Sequence, residues 1–198
     1  MTLNARAFFL IFPMNIFFLH TNGWVMAMLH CDSHVSKMIL EIAQLASNVY
    51  HHYDSHATKL YKKTHTRHPM SIFMCQNVHN FTLCVIRGIQ IAKEYTLRFN
   101  RVHSSELMLH DMLSCPPDFT RASPPEYSEG TAFGSYGPFM IPLCIADRSL
   151  HHTDACVAYT QYYLDKLMKI KRLRRWRKKT TLALPLAIRM ARQSALST

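Results

Sequence analysis

Glycine is scarce in this sequence, with only 5 in 198 residues, and several long stretches repeat apolar residues at helical spacing. A turn-rich β fold requires more glycine, so this composition favours a mainly α-helical protein. The chain also lacks a C-x2-C pair, a G-x-S-x-G motif, a glycine-rich phosphate loop and an H-E-x-x-H motif. These absences argue against a structural zinc domain, an α/β-hydrolase, a P-loop NTPase and a zinc metalloprotease.

Histidine and cysteine are nevertheless frequent enough for a metal site to be considered. His30, Cys31 and His34 lie close together in the sequence, and Cys75 and Cys84 lie nine residues apart around a further histidine. Without paired cysteines, small core residues are the better interpretation of Cys75, Cys84 and Cys156, with zinc as the alternative. We expect neither a metal ion nor another cofactor. The six cysteines are widely spaced in a chain too long to need disulfides, which predicts reduced thiols and an intracellular protein.

No apolar run in the sequence reaches the roughly 20 residues that a membrane-spanning helix requires. The segment at 7–19 is apolar, but Pro13 and Asn15 interrupt it, and no clear cleavage site for a signal peptide follows. We expect Met14 to begin the functional chain, so that residues 1–13 form a dispensable extension. Residues 15–19 then predict a short first strand.

The remaining sequence predicts a single helical domain at residues 14–179, with a tail at 180–198. Apolar residues make up 48% of the chain, enough to form a core. Pro69 is suited to a first helical position, Gly88 to a bend within a helix, and Ser104 and Thr153 to N-caps. Six of the nine prolines lie in a predicted loop insertion. The predicted helices span residues 24–50, 70–99, 104–113 and 153–179, and the insertion spans 114–142.

The last predicted helix carries most of the positive charge. Residues 166–179 contain nine Lys and Arg side chains and no acid, which leaves a formal charge of only +2 for the rest of the chain. Such a segment is typical of a protein that neutralises phosphates, and neighbouring aromatic rings could stack on bases. A solvated helix end, a nuclear-import signal and an anionic membrane surface are the alternatives. The predicted nucleic-acid-binding residues are Lys169, Lys171, Arg172, Arg174, Arg175, Arg177, Lys178, Tyr162, Tyr163 and Trp176, and duplex DNA is the predicted partner.

A second pattern is a polar stripe along the first predicted helix. Its members are His34, Lys37, Glu41, Gln44 and Asn48, which at 100° per residue fall within about 80° of one another. A carboxylate with His and Lys one or two turns away could act as a general acid or base, or stabilise a cation. The alternative is the solvent-exposed side of an amphipathic helix.

The sequence resembles a family of small proteins from tailed phages and large DNA viruses. The family's pattern is roughly M-N-I-F followed by H-C-D-K-H-V-V-K-M-I-L-E, which matches Asn15–Leu19 and the run His30–Glu41. The resemblance covers about residues 14–177, with residues 114–137 as an insertion. It implies a viral protein located in the host cytoplasm or nucleus, or in the virion. Later matching segments are His68-Pro69, Ser71-Ile72, Glu94-Tyr95-Thr96, His103, Ser105-Glu106, Ala158-Tyr159, Tyr162-Tyr163 and Trp176.

Asp32, His34 and Glu41 also resemble, more distantly, the D-x-H-x6-E helix of endonuclease V-type pyrimidine-dimer DNA glycosylases. In those compact helical enzymes the N-terminal α-amine attacks C1′ of the damaged nucleotide. The reaction passes through a Schiff-base intermediate, and the helix glutamate assists it. The resemblance therefore implies a glycosylase and abasic-site lyase, with Glu41 as the main catalytic residue and Asp32 and His34 near it. The helical spacing of the polar stripe adds Lys37 to the predicted catalytic residues.

Two features depart from the glycosylase pattern. Thirteen residues precede Met14, and Leu40 and Gln44 replace arginines that flank the family's glutamate. The alternative function is therefore a non-catalytic nucleic-acid-binding or virion structural protein on the same scaffold. A membrane-associated protein is a third hypothesis.

Overall fold

The computed structural model describes residues 15–57 and 59–170, and these residues form a mainly helical structure. Two antiparallel strands, β1 (Phe133–Tyr136) and β2 (Phe139–Pro142), form a hairpin that precedes the last described helix. The helices are α1 (Gly23–Leu29), α2 (Asp32–His52), α3 (Pro69–Cys75), α4 (Val78–Phe99), α5 (Glu106–Ser114) and α6 (Ala155–Lys169), with a short 3-10 turn at Arg148–Leu150.

The core lies between α2 and α4, and α1, α3 and α5 pack around this pair. The apolar face predicted for α2 is confirmed, because Val35, Ile39 and Ile42 are fully buried. Gly88 lies where α2 and α5 both approach α4. A methyl group at this position would lie 2.9 Å from Cδ1 of Leu109 and 3.0 Å from Cγ2 of Ile42. The glycine therefore permits close packing within a helix that continues past it.

The two long helices predicted from periodicity are each interrupted. The first breaks at His30 and Cys31, where the backbone of His30 is extended and its Nδ1 lies 2.8 Å from the carbonyl oxygen of Met26. The second breaks at Asn77, whose backbone is extended. The side chain of Asn77 caps α4 by accepting the N–H of Asn80. The prediction of continuous helices was wrong here, because a capping residue can restart a helix without changing the apolar period.

Other predicted boundaries shift by one or two residues. The N-cap of α5 is Ser105 rather than Ser104, and that of α6 is Asp154 rather than Thr153. Asp154 accepts the N–H groups of Cys156 and Val157, which is the usual capping geometry. The predicted insertion is not a loop throughout, because its last ten residues form the β1–β2 hairpin.

The segment at 15–19, predicted as a first strand, adopts no regular secondary structure and pairs with no strand in the described part of the protein. Its side chains are buried, with Ile16, Phe17, Phe18 and Leu19 each at most 2% exposed. The segment is anchored through Asn15, which donates its side-chain Nδ2–H to the carbonyl oxygen of Cys144 at 2.7 Å. The predicted extension at 1–13, residues 171–179 of the basic segment (166–179) and the tail at 180–198 lie outside the described residues.

Across residues 15–57 and 59–170, no helix has the length and apolar character that crossing a bilayer requires.

Candidate functional site

Glu41 lies near the middle of α2 and is almost completely buried, at 5% exposed. Its Oε1 atom lies 3.0 Å from Nζ of Lys37, one helical turn earlier. Its Oε2 atom accepts a hydrogen bond of 3.2 Å from the main-chain nitrogen of Asn15. The carboxyl group is therefore held between a cation on its own helix and the first residue of the buried N-terminal segment.

The surroundings of Glu41 shift its proton affinity in opposing directions. Burial raises the pKa of Glu41, while the charge and hydrogen bond of Lys37, the Asn15 amide and the charge of Lys166 lower it. Burial is the largest of these effects, so the pKa of Glu41 stays above that of a solvated glutamate. A carboxylate with a raised pKa is a stronger base than glutamate in water.

Lys166 approaches this site from α6. Its Nζ atom lies 5.2 Å from the centre of the Phe17 ring and 5.8 Å from that of Tyr162, within the range of cation–π contacts. Burial lowers the pKa of Lys166, as does the charge of Lys37, while Glu41 raises it. Lys166 is thus part of the interior around Glu41, although the sequence placed it in the basic segment.

His34 is held in the core and is neutral at physiological pH. Its Nδ1 atom lies 2.9 Å from the hydroxyl group of Tyr163 and 3.3 Å from Sγ of Cys31. Burial lowers the pKa of His34 to about 3, with smaller contributions from the charges of His30, Lys166 and Lys37. Its ring packs against Phe17 at 5.2 Å, so it fixes the buried segment beside Glu41. These contacts give His34 a positioning role rather than that of a proton donor.

Asp32 is placed in a structural ion pair. Its Oδ1 atom lies 3.1 Å from Nη1 of Arg98, a fully buried guanidinium whose Nε also pairs with Glu94 at 2.7 Å. Arg98 donates further hydrogen bonds to the carbonyl oxygens of Met28 and His30, at the end of α1. Asp32 therefore contributes to the joint between α1, α2 and α4, and its predicted catalytic role has no geometric support.

The polar stripe on α2 faces the protein rather than solvent at three of its five positions. His34, Glu41 and Asn48 are each at most 5% exposed. Asn48 donates to the carbonyl oxygen of Thr64 at 2.6 Å and to the hydroxyl of Ser71 at 3.1 Å. A solvent-exposed polar face is thus excluded as the explanation for these three residues. Gln44 and Lys37 are partly exposed.

Few of the predicted nucleic-acid-binding residues lie within the described ranges. Lys169 is exposed and pairs with Asp165 at 2.7 Å. Tyr162 is partly buried, whereas Tyr163 is only 2% exposed and its hydroxyl is occupied by Cys31 and His34. Tyr163 is therefore not placed to stack on a base. The residues outside the described ranges are Lys171, Arg172, Arg174, Arg175, Trp176, Arg177 and Lys178.

The sequence did not reveal three of the residues that organise this site. From the sequence, Asn15 is predicted to lie in a strand and Lys166 in the basic segment, and no role is predicted for Arg98. Only Asn15 carried a signal, since it belongs to the first block of the viral-family resemblance. The described residues contain no group of three or more His, Cys, Asp or Glu side chains that could hold a metal ion.

No protein-family model, no curated protein and no solved structure matches this chain.

Proposed function

We propose that this chain is a DNA-binding base-excision enzyme that cleaves glycosidic bonds or abasic sites through a Schiff base, with Glu41 as its catalytic carboxylate. The observation that supports it most is the distance of 3.2 Å between the main-chain nitrogen of Asn15 and Oε2 of Glu41. In the glycosylases that the sequence resembles, the attacking α-amine and the helix glutamate work as a pair. A chain that began at Asn15 would place its α-amine against Glu41 in the same way.

The chemistry requires a neutral amine and a nearby carboxylate. The amine forms a bond to C1′ and gives up a proton, and the base leaves with the electron pair of the glycosidic bond and takes up a proton. The C1′–O4′ bond then breaks as O4′ is protonated, which opens the sugar ring and gives an iminium ion. A buried carboxylate stabilises that positive charge, because electrostatic interactions are stronger where water is excluded. As a base with a raised pKa, Glu41 could also accept the C2′ proton in the elimination that breaks the strand.

Met14 precedes Asn15 in this sequence, so the nitrogen at Glu41 is a peptide amide and is not nucleophilic. Two side-chain amines remain near the carboxyl group. Lys37 contacts it directly, and Lys166 interacts with it electrostatically. This arrangement favours Lys166, because its lowered pKa increases its neutral fraction at pH 7. The same amide favours the second candidate function, a non-catalytic DNA-binding protein that has kept the scaffold.

Borohydride trapping on duplex DNA with one abasic site separates the two candidates. An enzyme of this type becomes covalently attached to the DNA, and Glu41→Gln should lower the rate of trapping by on the order of 10²- to 10⁴-fold. Glu129→Gln, at an exposed glutamate, is the matched control and should trap as the wild type does. Mass spectrometry of the trapped peptide identifies the amine as Lys37, Lys166 or the chain's first residue.

A chain that binds the DNA but gives no adduct would support the non-catalytic function instead. Circular dichroism of Glu41→Gln shows whether the variant is folded, so a loss of trapping can be assigned to chemistry. DNA binding of this variant should persist or become tighter, since a carboxylate repels phosphate.

A further inference from the structure

A cleft of about 350 Å³ opens beside the last turns of α2, in the region between that helix and α3. One side of the cleft is lined by Asn48, His51 and His52 of α2. Another part is lined by Lys63 and Arg67, which belong to the segment that leads into α3. Asn48 follows Glu41 by seven residues, or two helical turns, and lies on the same face of α2 about 10 Å further along the axis. The cleft is therefore distinct from the Glu41 site but lies on the same side of the helix.

The cleft is lined by cations and contains no acid among its described lining residues. Lys63 and Arg67 are exposed, and no carboxylate of the described residues lies within 4 Å of either side chain. Lys93, by contrast, is paired with Glu106 at 2.6 Å. Two unpaired cations that converge on one concavity make a favourable site for an anion.

The floor of the cleft is polar and pre-organised. Asn48 donates to Thr64 and Ser71 and accepts the Thr64 N–H at 3.1 Å, so its amide joins the Lys63–Arg67 segment to α2. Ser71 is only 1% exposed, and its hydroxyl accepts from Asn48, which leaves the hydroxyl proton to donate. The rings of His51 and His52 are oriented by contacts of 2.8 Å from Nε2 to the carbonyl oxygens of Tyr61 and Ser123.

We propose that this cleft binds a phosphate group. The guanidinium of Arg67, the ammonium of Lys63 and the hydroxyl of Ser71 are all donors, and a ligand that satisfies them must offer several acceptors and a negative charge. The volume lies at the lower end of the range for small-molecule pockets, roughly 300–1,000 Å³, and it exceeds the space that an isolated phosphate would fill. The phosphate thus belongs to a larger molecule, either a free nucleotide or a nucleic-acid backbone.

The test compares two double variants of the full-length chain that lose the same charge. Lys63→Ala with Arg67→Ala removes the two cleft cations, whereas Lys59→Ala with Lys62→Ala removes two exposed cations of the same segment that do not line the cleft. Isothermal titration with deoxyadenosine monophosphate, and in a second arm with a 12-nucleotide single-stranded DNA, measures the affinity. Circular dichroism of both variants confirms that they are folded.

We expect the cleft variant to lose at least about tenfold in affinity, because two charge-assisted hydrogen bonds disappear, and the control to lose less than about twofold. A loss of affinity for the mononucleotide in the cleft variant, with no binding of deoxyadenosine, identifies a nucleotide site, whereas a loss confined to the oligonucleotide identifies a backbone site. Equal losses in the two variants, or none in either, would overturn the proposal. The result is independent of the Glu41 chemistry, because trapping on abasic DNA is measured separately.

Discussion

The hydroxyl group of Tyr163 lies 2.9 Å from Nδ1 of His34 and also accepts the main-chain N–H of Cys31 at 2.8 Å. Because the hydroxyl oxygen accepts from Cys31, its own proton is available for the neutral imidazole of His34. One side chain of α6 thereby satisfies two buried polar groups at the start of α2. This contact fixes the position of α6, and with it Lys166, relative to the helix that carries Glu41.

Tyr163→Phe should lower the free energy of unfolding by about 1–3 kcal/mol, because the Cys31 N–H and the His34 ring would remain buried without this partner. Chemical denaturation measures the change. Tyr95→Phe is a suitable control, since its partly buried hydroxyl makes no hydrogen bond with the described residues, and it should change stability by less than about 0.5 kcal/mol. If the two variants are equally stable, Tyr163 contributes only its ring.

Acid should destabilise the protein through its buried histidines. Burial lowers the pKa of His34 to about 3 and that of His30 to about 4, from 6.5 in the unfolded chain. The unfolded state therefore binds more protons as the pH falls below 6.5, and the free energy of unfolding decreases by about 1.4 kcal/mol per pH unit for each histidine. The raised pKa of Glu41 acts in the opposite direction, because its protonated form is favoured in the folded state.

Stability measured by denaturation between pH 7 and pH 5 tests this dependence. His34→Gln should reduce the slope of the unfolding free energy against pH by the contribution of up to one proton. His79→Gln, at an exposed histidine, should leave this slope unchanged. A slope in His34→Gln equal to that of the wild type would show that His34 is not the source.

Local patterns in the sequence predicted the helical class and the buried face of α2, since both depend on residues within a few turns of one another. The polar stripe also led to the prediction of Glu41 as a catalytic residue, and this role stays a prediction. The joint around Arg98 could not be predicted, because Arg98 and Asp32 are 66 positions apart and no periodic signal connects them. The contact between Asn15 and Glu41 could not be predicted either, because it depends on how the N-terminal segment packs against α2 in the folded protein.

The basic segment should supply most of the affinity for DNA. Phosphate contacts give the logarithm of the binding constant a slope of about −0.9 per neutralised phosphate against the logarithm of salt concentration. Replacing Arg172, Arg174 and Arg175 by Ala should weaken binding to all sequences and flatten this slope. Replacing three exposed cations of the body, Lys59, Lys62 and Arg101, should have a smaller effect on both. Equal effects would mean that net charge, rather than this segment, determines binding.

Lys166 should lower the pKa of Glu41. The change in that pKa when Lys166 is replaced should be measurable without an assay of activity. The positive charge of Lys166 favours the ionised carboxylate, so Lys166→Met should raise the pKa of Glu41 further, while Lys166→Arg should preserve it. Carbon-detected NMR titration of the Glu41 carboxyl group measures the shift directly. Lys169→Met is the control, because Lys169 pairs with Asp165 at the exposed end of the same helix and should leave Glu41 unchanged. An unchanged titration in Lys166→Met would show that the charge of Lys166 does not influence the ionisation of Glu41. It would also remove the electrostatic connection between α6 and Glu41 that favours Lys166 as the attacking amine.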